Sequence, residues 1–239
     1  MTINRLRGIC LAATALACLA TAASADGIKT AADPSIAAPF DIVETTVTAA
    51  DGIARFRIAS TGTAGDSKPQ ATGTFAGSGV AAYVWPTSLD SADVGFDKGQ
   101  GIVALAVTFH PDFDDGAKGA ANRSVWHPHW VVLAKDEACG AGLKVVDIPD
   151  GAKPALPATW PGVPLLIDSP AYPTVLSGHT VEVDVPLAEI AALATASFDG
   201  VGAGLRINAD LHAPLLCVTD VFKVASGTLS LPGKVTSEP

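Results

Sequence analysis

The sequence predicts an all-β protein, an antiparallel β-sandwich of immunoglobulin-like or related type, with a β-barrel as the alternative. Three observations carry this reading. Short segments rich in Val, Ile, Thr and aromatic residues recur along the chain, 23 glycines and 17 prolines punctuate them, and a single late segment has the composition of a helix. The irregular spacing of the strand segments favours a sandwich over an up-and-down barrel.

The chain begins with the pattern of a secretory leader. Arg5 and Arg7 supply a positive start, Ile9 to Ala20 an apolar run, and Ala23-Ser24-Ala25 small residues for cleavage. The expected organisation is therefore a signal peptide over residues 1–25 and one β-sandwich domain over residues 26–239. The apolar run falls short of the ~20 residues of a membrane-spanning helix, so no membrane insertion is expected after cleavage. Ala15-Leu16-Ala17 before Cys18 forms a poor lipidation box, which leaves a lipid anchor as the alternative.

Removing residues 1–25 leaves 13 basic against 24 acidic residues, a net charge of −11. Nucleic acid and anionic lipid both require clustered Lys and Arg, so neither is an expected partner. The leader also takes Cys10 and Cys18 with it. Cys139 and Cys217 then stand alone in a periplasmic or extracellular setting, where pairing as a disulfide is the expected outcome. Neither has the CxxC or CxH neighbour of a metal site.

The strands follow in order. Ile42 to Ala49 and Ile53 to Ile58 flank the turn dipeptide Asp51-Gly52, which predicts a hairpin with Ala54, Phe56 and Ile58 on one face and Arg55 and Arg57 on the other. Ser60 to Gly79 is a long loop of small residues. Val80 to Trp85 is apolar and stops at Pro86. Gly101 to His110 predicts a strand whose bulky face is Val103, Leu105, Val107 and Phe109. Its other face, Ala104, Ala106, Thr108 and His110, is small enough to admit a second layer or a ligand.

Ser124 to Ala134 predicts a strand with Trp126, Pro128 and Trp130 on one side and His127, His129, Val131 and Leu133 on the other. Pro128 lacks an N–H and points to an edge or bulge, with the histidines near an accessible rim. Seven prolines between 149 and 173 set a crossover, with short strands at Leu143 to Ile148 and Val163 to Ile167. Val181 to Val185 alternates, Leu187 to Ala196 reads as the helix, Gly204 to His212 alternates again, and Leu215 to Val224 closes the chain.

Chemistry concentrates between Phe109 and Leu133. His127 and His129, two apart on a strand, project from one face and can supply two nitrogen ligands, with His110 as the third. Imidazole ligands suit Zn²⁺ or Cu²⁺. Met1 is the only methionine, which argues against a thioether copper site. Asp112, Asp114 and Asp115 before Gly116 invite a Ca²⁺ reading, but Arg123 occupies the position where an EF-hand needs a bidentate Glu. That leaves a looser calcium site or a solvated acidic loop.

Arg206, Asn208, Asp210 and His212 form a second polar face. As an enzyme site, Asp210 orients His212 as a general base while Arg206 or Asn208 holds an anionic or carbonyl substrate; as plain structure, the four are the solvent side of an amphipathic strand. No GxSxG elbow, phosphate loop or dinucleotide fingerprint occurs. The aromatic residues Tyr83, Trp85, Trp126, Trp130 and Trp160 are few enough to read as packing rather than as a sugar platform. The leading expectation is an exported, non-catalytic metal-binding protein with an edge site at His110, His127 and His129. A metal-assisted or His/Asp acid–base enzyme and a ligand-free adhesion-type module are the alternatives.

Overall fold

The computed structural model describes residues 27–208 and 214–237; the leader expected at residues 1–25 lies outside the described residues. In chain order the first strands are β1 (Ile28–Lys29), β2 (Ile42–Ala50), β3 (Ile53–Ser60), β4 (Gly79–Pro86), β5 (Ile102–Phe109) and β6 (His127–Lys135). There follow β7 (Leu143–Val145), β8 (Ile167–Asp168), β9 (Thr174–Ser177), β10 (Thr180–Pro186) and β11 (Ser197–Phe198). The last are β12 (Val201–Ile207), β13 (Leu216–Val224), β14 (Gly233–Lys234) and β15 (Thr236–Ser237).

The expected all-β antiparallel class is observed, and the sandwich and the barrel are both present in it. One sheet has the order β1-β2-β3-β10-β9, with β15 parallel beside β2. The β2–β3 hairpin turns at Asp51 and Gly52, both at positive φ as a two-residue primed turn requires. Arg55 lies opposite Asp184 and Arg57 opposite Glu182, so the outward face of this sheet is laced by cross-strand charge pairs.

The second sheet closes on itself. β4 pairs with β5, β5 with β6, β6 with β7, β7 with β13, β13 with β12 and β12 with β4, giving a six-stranded barrel, with β8 added beside β6. Register shifts at Gly202/Ala203 and Gly204/Leu205 in the β12–β13 ladder supply the local bending that closure needs. Cys139 and Cys217 are disulfide-bonded, as expected, and tie the turn after β6 to β13 across a separation of 78 residues.

Two apolar compartments result. Phe56, Ile58 and Val183 of the open sheet meet Tyr83, Trp85, Leu105 and Trp130 on the outer wall of the barrel, which is the sandwich-like core. The barrel lumen holds the second, formed by Val80, Ala82, Ala106, Val131, Ala203 and Val218 among others. The predicted faces of the 101–110 and 124–134 segments sort between these compartments as the period of two dictates: Leu105 and Trp130 to the first, Ala106 and Val131 to the second.

Three expectations are corrected. The Leu187 to Ala196 segment forms only a 3₁₀ turn over Ala191–Thr195. Its N-cap position is Ile190, which makes no side-chain cap bond, and a stretch this short cannot offset the cost of helix nucleation without one. The alternating 204–212 strand begins earlier, as Val201–Ile207, and its expected residues 209–212 lie outside the described residues. The strand expected at Val163 to Ile167 is reduced to Ile167–Asp168, because Leu165 and Leu166 make isolated bonds to Ile148's neighbourhood instead of a ladder.

Candidate metal centre

The site is built at one end of the barrel, where β5 runs out and β6 begins. Thr108 pairs with His127 and Ala106 with His129, so His127 and His129 face the same side as Thr108, and His110 follows directly after β5. The connection from residue 110 to 126 folds back over this end. A Cβ on Gly116 would lie 2.5 Å from the Ala120 carbonyl oxygen, so the tight fold of that loop needs glycine there.

The acidic triplet divides among three tasks. Asp112 accepts hydrogen bonds from the Thr72 and Gly73 backbone N–H groups and from the Thr72 hydroxyl. Asp114 pairs with the Arg123 guanidinium and accepts from the Asn122 and Arg123 backbone N–H groups. These bonds hold its carboxyl below the usual carboxylate range, through Arg123 above all. Asp115 turns inward. Asn122 pins it from two sides, its Nδ2 donating to Asp115 Oδ1 at 2.8 Å and its Oδ1 accepting from the Asp115 backbone N–H at 2.9 Å.

Inside, Asp115 meets all three histidines. Its Oδ1 lies 3.1 Å from His110 Nε2 and 3.0 Å from His127 Nε2, and its Oδ2 lies 3.4 Å from His129 Nε2. His110 Nε2 and His127 Nε2 are 3.1 Å apart. The four ligand atoms all fall within 4.8 Å of one another, and this is the group of metal-ligating side chains found among the described residues. Donors ~2.0–2.1 Å from a shared ion stand roughly 3.3–3.4 Å apart in a tetrahedron, close to most of the separations seen.

The other ring nitrogens settle the tautomers. His110 Nδ1 faces the Phe113 carbonyl at 2.9 Å, His127 Nδ1 the Val125 carbonyl at 2.7 Å, and His129 Nδ1 the Asp168 carbonyl at 3.0 Å. A carbonyl oxygen only accepts, so each Nδ1 carries the proton and donates it. In the neutral ring, each Nε2 then presents its lone pair to the centre, which is the arrangement of metal-bound histidines with backbone partners behind them. His129 Nε2 is fully buried and has no hydrogen-bond partner. An orphaned lone pair of this kind carries a free-energy cost unless something meets it.

Burial dominates the electrostatics. It depresses the His129 imidazole to about 4 despite the opposing pull of Asp115, so that ring is neutral at pH 7 and its Nε2 is available as a ligand. Burial also pushes the Asp115 carboxyl up, and positive charge on the facing histidines pulls it below the usual carboxylate range; with the rings neutral and their Nε2 lone pairs turned inward, that pull has to come from a cation among them. Asp115 therefore contributes a full negative charge to an enclosed site.

All three histidines expected as ligands are thus brought together, but not at an accessible rim. His110 is 1% exposed, His129 0%, and the His127 side chain 12%. Pro128 is accommodated near the start of β6: it lies opposite Val107 of β5, while pairing with β8 begins only at Trp130. The expected edge holds locally for Pro128, and barrel closure buries the rest of the strand. The member of the cluster that residue patterning missed is Asp115. Its only signal was the acidic triplet itself, whose three carboxylates do not converge as a calcium loop would require.

The second polar face does not join this centre among the described residues. Arg206 is exposed on β12 and borders a separate shallow depression with Lys68 and Asp220. Asp210 and His212 lie outside the described residues. No protein-family model matches the chain, and comparison with curated proteins and with solved structures returns no significant similarity.

Proposed function

We propose that this is an exported metal-binding protein in which His110, His127, His129 and Asp115 hold one divalent transition-metal ion at the inner end of the barrel. The observation that carries the reading is the set of three Nδ1–H groups engaged by backbone carbonyls, which leaves three Nε2 atoms directed at one carboxylate. Three imidazoles and one carboxylate suit Zn²⁺ and also accept Cu²⁺. The function is binding rather than turnover; the enzyme reading built on Arg206, Asp210 and His212 gains no support from the exposed position of Arg206.

Export is supported by the basic and apolar pattern of the first 25 residues and by the Cys139–Cys217 disulfide, which persists in oxidising compartments. Fractionation of cells expressing the full chain should recover a shortened protein outside the cytosol, and recovery of uncleaved cytosolic protein would refute that part.

The metal reading is tested by titrating the mature protein with Zn²⁺ and with Cu²⁺ in a calorimeter. Binding tighter than roughly 10 μM at one ion per chain is expected. Replacing His127 and His129 together by Ala should weaken it at least a hundredfold, and Asp115→Asn should weaken it with the fold retained. Absence of binding, or binding indifferent to these substitutions, would refute the assignment.

A further inference from the structure

The barrel is hollow, and the metal centre forms one end of the hollow. A six-stranded barrel ordinarily leaves little interior room once side chains fill it. Here Ala82, Ala106 and Ala203 stand at inward positions, and a cavity of about 420 Å³ remains. Small-molecule sites occupy roughly 300–1,000 Å³ and are mostly apolar with a few placed polar groups. This cavity has that distribution. Its walls are mostly Val, Leu, Ile and Ala, while Thr108, His110, Asp115 and His129 cluster at one end and Thr87 and Ser88 lie at the other.

The cavity is also directional. At the metal end it is bounded by Phe113, stacked on His110 at 3.9 Å, and by Phe75, edge-on to Phe113 at 5.2 Å. From Thr108 the β5 strand runs back to Ile102, a span of roughly 20 Å at the usual rise of a strand. At that far end the lining includes Ile102, Leu229 and Leu231 beside Thr87, whose hydroxyl donates to the Val103 carbonyl, and Ser88; Ile102 at 43% and Leu229 at 39% are exposed to an unusual degree for their type. Leu229 and Leu231 have φ of 55° and 53°, a left-handed conformation that leucine adopts only at a cost. The mouth is thus rimmed in part by apolar side chains held in place against backbone strain.

We infer that the lumen binds an elongated apolar molecule ending in a carboxylate, with the carboxylate on the metal ion and the aliphatic tail running towards Ile102 and Leu229. The inference rests on the metal reading above. Charge selects the head group: a divalent ion with Asp115 as its one anionic ligand keeps a positive charge in an apolar tube, and an anionic oxygen donor neutralises it. His110, Asp115 and His129 line the cavity and His127 does not, so the lumen side of the ion is where an added ligand would approach. The rest selects the tail. Between Thr108 and the Thr87 and Ser88 pair at the mouth the walls present no polar side chain, so a ligand carrying hydrogen-bonding groups along that length would leave them unpaired.

The test uses the mature protein with Zn²⁺. Zn²⁺ is titrated first, alone; a protein that takes up no ion fails at this step, which overturns the metal reading and this inference with it. Decanoate is then titrated into the Zn²⁺-loaded protein, with butyrate as a head without a tail and decanol as a tail without a charge. Decanoate should bind at least tenfold tighter than either. Ala203→Phe, which fills the lumen away from the ligands, should weaken decanoate at least tenfold while leaving the Zn²⁺ titration unchanged. Ala203→Val serves if the larger side chain prevents folding, with a loss of a few-fold expected. Normal Zn²⁺ uptake with decanoate no tighter than butyrate, decanoate binding unaltered by the Ala203 variants, or equal binding to protein stripped by chelator would each overturn the inference while leaving the metal reading intact.

Discussion

The two compartments share a wall, and their difference is visible on a single strand. Along β5, Val103, Leu105 and Val107 point into the sandwich-like core and meet a packed set that includes Phe56, Trp85 and Trp130. One residue out of phase, Ala104, Ala106 and Thr108 point into the barrel, where their small size leaves open space that ends at His110. The first compartment has edge-to-face aromatic contacts, Phe56 to Trp85 at 5.7 Å and Phe56 to Trp130 at 6.2 Å. The second has a buried carboxylate and an orphaned imidazole nitrogen. This arrangement is expected to concentrate stability on one face of the strand and leave the other to carry a site that costs stability.

If so, the hollow side should depend on covalent closure where the filled side depends on packing. Replacing Cys139 and Cys217 by Ser removes the link that ties β13 to the turn after β6. Chain entropy for a loop of this span predicts a loss of about 4–5 kcal/mol, measured by denaturant unfolding. On the filled side, Trp85→Ala should cost about 3–5 kcal/mol through the cavity it leaves and the Thr45 hydroxyl it strips of its Nε1–H donor. A loss under 1 kcal/mol there would mean that the sandwich core is not the main source of stability. The metal should act only on the hollow side: Zn²⁺ at a hundredfold excess over its Kd should stabilise the protein by about 2.7 kcal/mol, and the His127→Ala, His129→Ala double variant by nothing measurable.

Local patterning carried much of this in the sequence. The period of two sorts the faces of β5 and β6, and His127 and His129 fall on the same face as Val131 because of it. Asp51-Gly52 marks its hairpin, and Cys139 and Cys217, the two of the four cysteines that lie outside the expected leader, pair as read. What local patterning could not supply is long-range. Barrel closure depends on β6 finding β5 through Ile102 to Thr108 and β7 through Leu133 to Lys135, and no residue signals that double pairing. Asp115 joins the histidine cluster only because Asn122 and the Asp114–Arg123 pair fold its loop inward, contacts made seven to nine residues away in an aperiodic segment. The same closure turned an expected rim into an interior.

The smallest expected effect gives the sharpest comparison, because it makes one chemical change on both sides of the barrel wall. Ala54 is fully buried in the sandwich-like core, opposite Val185 and Ala49 on neighbouring strands. Ala203 is equally buried by its own neighbours but borders the lumen. Ala54→Leu forces three extra carbons into a close-packed region and should cost about 1–3 kcal/mol. Ala203→Leu places the same carbons into existing space, where burial of the added apolar area offsets ordering of the side chain, and the net change should stay within about 1 kcal/mol of zero. Equal losses in the two variants would mean that the lumen collapses or is filled in solution, and the division of labour between the faces of β5 would fail with it. A difference of the expected size means that the space beside the His/Asp cluster is held open by the fold itself.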